Sequence, residues 1–260
     1  MRIIQVASFV LFLIITISCS TGYVPPSKKM VLSDKKYSWQ KTSTEHFDIY
    51  SESDSLPSEY TDSAKVIFER KFSSLLSYLK IASFDDKLTL FMVESREKMK
   101  EITGIETNGL ANVNDNTVFS IFNGELTTYG IHEFCHIVTV NTWGATSQTW
   151  LSEGLAVSAD NVWHGHGLHS LCHYMEYKKM LVPLVDLFAG FSKTNGLIAY
   201  PECGSFVRYI ADTYGIDIVR EIWKKGIPAL EKETGKSVSV LEQEWRAEIK
   251  KYPAPGIDYP

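Results

Sequence analysis

The segment that constrains this chain most is Ile131-His132-Glu133-Phe134-Cys135-His136-Ile137-Val138, an HExxH motif set in apolar residues. In a helix, positions four apart share a face. His132 and His136 can then reach one metal ion, while Glu133, beside the first ligand, reaches a water on that ion. A five-residue motif with three fixed letters is also met by a buried helix carrying two satisfied histidines, so the motif alone decides nothing. The deciding residues are downstream, in Thr149-Trp150-Leu151-Ser152-Glu153-Gly154-Leu155-Ala156. Between the two lies Asn141 to Gln148, which reads as a loop that returns a second helix and sets the Glu153 carboxylate opposite the histidines. Two His and one Glu leave a fourth tetrahedral position for water, the donor set of a catalytic zinc (Zn2+) site rather than a structural one.

Together, HEFCH and WLSEGLA resemble the gluzincin metallopeptidases, the clan of thermolysin and aminopeptidase N. The spacing between the two halves, two residues shorter than in aminopeptidase N, is similar to that of the smaller bacterial peptidase MA-like proteins. The resemblance implies an α+β fold: a small mixed sheet with an edge strand beside the HExxH helix, followed by a mostly helical C-terminal lobe. It implies metal ligation by His132, His136 and Glu153, with Glu133 as general base. It also implies a tyrosine whose hydroxyl points at the substrate carbonyl. Tyr200, four residues before Gly204, matches that place with a one-residue shift, and Tyr209 and Tyr214 are poorer candidates that read as core. The edge strand along which a substrate peptide lies matches Gly109 to Val113. There aminopeptidase N relatives carry a Glu that binds the free amino terminus. This chain has none, so cleavage within chains is the expected mode. The competing reading is a surface-tethered binding protein that keeps the zinc fold without turnover, and an intact Glu133 counts against it.

The chain opens with Met1-Arg2, a run from Ile3 to Ile17 that is almost wholly apolar, and Ser18-Cys19, the pattern of a signal peptide over residues 1–18. Thr16-Ile17-Ser18-Cys19 resembles a bacterial lipobox, with Thr16 where Leu is usual. The expectation is a lipid on Cys19, a tether over 19–36 and attachment to a membrane of the bacterial cell envelope. The catalytic body is expected over 37–252 and an irregular tail over 253–260. With 44% hydrophobic and 22% charged residues the chain can bury a core of ordinary globular size, and its formal net charge of -5 argues against nucleic acid as partner. Peptide or protein substrates and a monomeric state are expected.

Periodicity places strands at His46–Tyr50 and Lys87–Val93, a long amphipathic helix over 57–81, a short helix over 95–102 and a hairpin over 108–122 just before the metal helix. A last packing helix runs through Val238, Leu241, Trp245 and Ile249, and Gly204 is expected to start the helix that follows Tyr200. Cys135 reads as buried filling, whereas Cys172 and Cys203 could pair. His164, His166, His169 and His173 crowd into ten residues. Without a carboxylate at ligand spacing they read as a loop at the cleft mouth rather than a second metal site.

Overall fold

The computed structural model describes residues 23–52, 58–122, 131–254, 256 and 259. The leader, the lipobox with Cys19 and the residues just before Ile131 lie outside the described residues.

The fold is mixed α+β. Five strands, β1 (Trp39–Ser43), β2 (Phe47–Glu52), β3 (Leu88–Val93), β4 (Gly109–Asn112) and β5 (Thr117–Ile121), form one sheet in the order β1-β2-β3-β5-β4. The central pairings β2–β3 and β3–β5 are parallel, and the flanking β1–β2 and β4–β5 pairings are antiparallel. All six residues of β3 are buried, as a central strand covered on both faces requires. Alternation sorts the side chains. Phe47, Ile49, Leu88, Leu90, Met92 and Val118 point into the main core, while Tyr50, Phe91, Val93, Phe119 and Ile121 form a smaller core on the opposite face.

The main core is roofed by α2 (Ser58–Tyr78) and α4 (Ile131–Trp143). Phe134, inside the HExxH motif, is fully buried, with ring centroids 5.0 Å from Phe47 and 6.1 Å from Phe72. Because Phe134, Cys135 and Val138 face the sheet, the helical period turns His132 and His136 away from it. Those two histidines are only half-buried.

On the far face lie α3 (Arg96–Thr103), through Met99, and a helix preceding β1, α1 (Lys28–Ser33), whose Val31 is 4% exposed. The stretch expected to be a tether is therefore part of the body. The Asn112 amide donates to the Pro25 and Pro26 carbonyls, the Lys28 N–H donates to Asp115, and the Tyr23 hydroxyl donates to the Thr103 carbonyl. Long-range polar contacts of this kind hold a segment whose own sequence, with Pro25-Pro26 and four lysines, reads as linker.

After α4 the chain is almost wholly helical: α5 (Thr149–Asp160), a two-residue ribbon β6 (Val162–Trp163) and β7 (His166–Gly167), then α6 (Leu168–Tyr177), α7 (Leu184–Gly190), a 3-10 turn (Phe191–Lys193), α8 (Gly196–Tyr214), α9 (Ile216–Lys225), α10 (Ile227–Thr234) and α11 (Val238–Ile249). α5 lies against α8 so closely that a Cβ on Gly204 would come within 2.5 Å of Val157, which leaves room there for glycine only. Contrary to expectation, α8 starts at Gly196, capped by Asn195, and runs through Pro201. Proline cannot donate to the carbonyl four residues back. That carbonyl, of Leu197, instead accepts from the Tyr259 hydroxyl at 2.7 Å.

Candidate metal centre

The α4–α5 pair assembles the centre. Loop residues 144–148 return the chain so that α5 crosses the His132/His136 face, and Glu153 is 8% exposed there. His132 Nε2 and His136 Nε2 are 3.1 Å apart, and Glu153 Oε2 lies 3.2 Å from the first and 3.5 Å from the second. These three residues form the one His/Cys/Asp/Glu cluster of three or more, among the described residues, that could hold a metal ion. Three lone-pair donors converging on one point suit a metal.

Electrostatics agree. Burial would push the Glu153 carboxyl up, yet the His136 and His132 imidazoles beside it hold it well below the usual carboxylate range. Burial likewise pulls His136 down, but the Glu153 charge and hydrogen bond outweigh it and raise it, so without a metal the pair favours imidazolium–carboxylate, and a metal ion would take the place of that proton. His136 Nδ1 lies 3.3 Å from Ser152 Oγ, a partner that fixes the ring from behind. Ser152 was not singled out from the sequence. Its only signal is its place next to Glu153, on the side of α5 that α4 covers.

Glu133 sits against the edge of the sheet. A Cβ on Gly109, the first residue of β4, would lie 2.7 Å from Glu133 Oε1, so the glycine makes space for the carboxylate. β4 is one of the two edge strands of the sheet, the place expected for Gly109 to Val113. Ile121 N–H donates to the Asn108 carbonyl, and the register then alternates. Leu110 and Asn112 face β5, and the peptide groups of Gly109 and Ala111 point outward from the sheet. Of these, the Gly109 carbonyl accepts from Thr107 Oγ1 at 3.0 Å.

Tyr200 belongs to the same neighbourhood. Its ring centroid is 6.3 Å from that of His132, stacked on Trp163 at 5.3 Å and 15°, with Phe191 at 5.2 Å. Burial, reinforced by the Glu153 and Glu133 charges, pushes the phenol far up, so it stays protonated. Tyr209 and Tyr214 are elsewhere and both donate to Glu244.

No family model matches the chain, and no curated protein matches it.

Among the described residues, the remaining histidines do not gather into a second site. His169 Nδ1 lies 2.8 Å from Ser205 Oγ, and His173 Nδ1 lies 2.6 Å from the Tyr252 carbonyl. His164 packs against Trp163 and Tyr259 in the β6–β7 ribbon. Cys135, Cys172 and Cys203 are buried free thiols, so the pairing considered for Cys172 and Cys203 is not made.

Proposed function

We propose that the chain is a zinc-dependent metallopeptidase that cleaves within polypeptide chains, with His132, His136 and Glu153 as zinc ligands. The observation that carries this reading is the triangle of ligand atoms, with edges of 3.1, 3.2 and 3.5 Å, beside a glutamate that is not a ligand. Tetrahedral zinc with bonds of ~2.0–2.1 Å has ligand–ligand edges of about 3.3 Å. The donor set, two imidazoles and one carboxylate, is that of hydrolytic zinc with an open position.

Bound there, zinc would act as a Lewis acid that polarises the scissile carbonyl and acidifies water. Glu133, held beside Gly109, takes the proton from the attacking water and returns it to the leaving amine. Tyr200, kept neutral by its burial, donates its hydroxyl to the developing oxyanion. The substrate lies along β4 as an added strand, its backbone paired with the outward peptide groups of Ala111. Gly109 to Val113 carries no glutamate that would grip a free amino terminus, which supports cleavage within chains.

The test is Glu133→Gln, read by zinc content from mass spectrometry and by a peptide-library assay. The variant should keep the metal and lose hydrolysis, and an active variant would remove Glu133 from the mechanism.

A further inference from the structure

The segment read as a tether offers something else. Between residues 24 and 36 the chain carries Lys28, Lys29, Lys35 and Lys36 against Asp34 alone, a net +3 inside a chain whose formal net is -5. With Arg2 counted, residues 37–260 carry -9. The same segment presents Val24, Met30 and Leu32 at 69%, 64% and 37% exposure, while Val31 between them is buried in the far-side core. Lys28, Lys29, Leu32 and Ser33, with Asp115, line an open hollow of 540 Å³. Exposed apolar side chains interleaved with lysines on an otherwise acidic body are the composition of a surface that meets anionic lipid headgroups.

Chain length makes the same point. Tyr23 is held by Thr103, and Pro25 and Pro26 by Asn112. Only Ser20, Thr21 and Gly22 separate Tyr23 from Cys19. Four residue steps span at most about 14 Å when fully extended. A lipid on Cys19 could not hold this body away from the bilayer.

We infer that the α1 face, Val24 to Lys36, is a docking surface for an anionic membrane, which seats the body directly on the bilayer. The sheet then lies between the lipid and the metal centre, since α1 packs on the face opposite α4. β4 joins the two sides: Asn112 at one end holds the docking segment, and Gly109 at the other touches Glu133.

The limit on reach requires a lipid at Cys19, whereas the lysines and apolar side chains of α1 act without one, and the experiment separates the two. Residues 20–260, which retain every described residue and carry no lipid, are sedimented with vesicles of phosphatidylcholine alone or with added phosphatidylglycerol. Binding is expected only to the anionic vesicles, and it should weaken with salt. Lys29→Glu with Lys35→Glu should lower the partition coefficient at least about fivefold for each lysine removed. Met30→Asp should lower it further, and Lys224→Glu with Lys232→Glu should leave it unchanged. Circular dichroism confirms that each variant is folded. No binding to anionic vesicles, or binding indifferent to the α1 substitutions, would overturn the proposal. For the lipidated full chain on the same vesicles, a fluorophore at Leu32→Cys should be quenched by a lipid-phase quencher, and one at Val185→Cys should not. The reverse pattern would likewise overturn it.

Discussion

Gly109→Ala is the substitution that separates the placement of Glu133 from its mere presence. The added methyl would lie 2.7 Å from Glu133 Oε1, where ordinary contact begins near 3.4 Å, so something must move by about 0.7 Å. The atom in the way is the far end of a flexible side chain, so the carboxylate yields rather than the strand. The energetic cost is small: a side chain forced off its rotamer costs ~0.5–1.5 kcal/mol. Replacing glycine in extended backbone returns ~0.4–1 kcal/mol by restricting the unfolded chain. Stability should therefore change by less than about 1 kcal/mol. Catalysis is far more sensitive, because a misplacement of ~1 Å can cost ~100-fold in rate. A fall in kcat of roughly 10- to 100-fold is expected, with zinc stoichiometry and thermal midpoint close to wild type. The assay is cleavage of an unfolded protein by enzyme of verified metal content. Wild-type kcat in Gly109→Ala would show that Glu133 does not work from its position against β4, and loss of metal or of fold would show that the glycine serves structure instead.

Other expectations can be checked with the same preparations. Tyr200→Phe should keep zinc and lower kcat by ~100- to 1,000-fold, the usual loss of an oxyanion donor, and an unchanged kcat would return Tyr200 to simple packing. Tyr259→Phe removes the hydroxyl that serves the Leu197 carbonyl and accepts from the Trp163 indole, at 2.7 and 3.0 Å. A cost of ~1–3 kcal/mol in urea unfolding is expected for the carbonyl left without a donor, and a neutral result would mean that water replaces it. Burial pushes the Glu202 carboxyl up to about 8, and its Oε2 accepts from the Val182 N–H while Oε1 has no partner. The folded state therefore holds a proton that the unfolded chain releases above the reference value of 4.5. The Glu202 contribution is full below that value and is lost as pH rises through about 8, a change of up to ~5 kcal/mol. Glu202→Gln should flatten this part of the stability–pH curve, and an unaltered slope would refute the assignment.

Local signals made the centre legible. His132, Glu133 and His136 stand at helical spacing, and their helix is anchored by the apolar Phe134, Cys135 and Val138 between and after them. Glu153 follows within one short loop, so the geometry depends on few residues. β3 was equally readable, because six consecutive residues suited to burial leave little choice. What the sequence concealed depends on partners far along the chain. The docking of 23–36 rests on Asn112, about 86 residues away, and on a single buried Val31, too little to register as a periodic pattern. The start of α8 was misplaced because the resemblance set a helix start at Gly204, and the donor that makes Pro201 tolerable inside the helix, Tyr259, is 62 residues downstream of the Leu197 carbonyl that it serves. Ser152 carries no pattern of its own, and only the crossing of α5 over α4 gives it His136 as partner.

The most direct test of the central claim is incubation of the zinc-loaded protein with an unfolded protein, with and without a chelator, followed by restoration of zinc. Internal fragments are expected from the loaded enzyme, none after chelation, and their return with zinc. A protein that carries one equivalent of zinc and yields no fragments, or fragments that persist through chelation, would contradict the account.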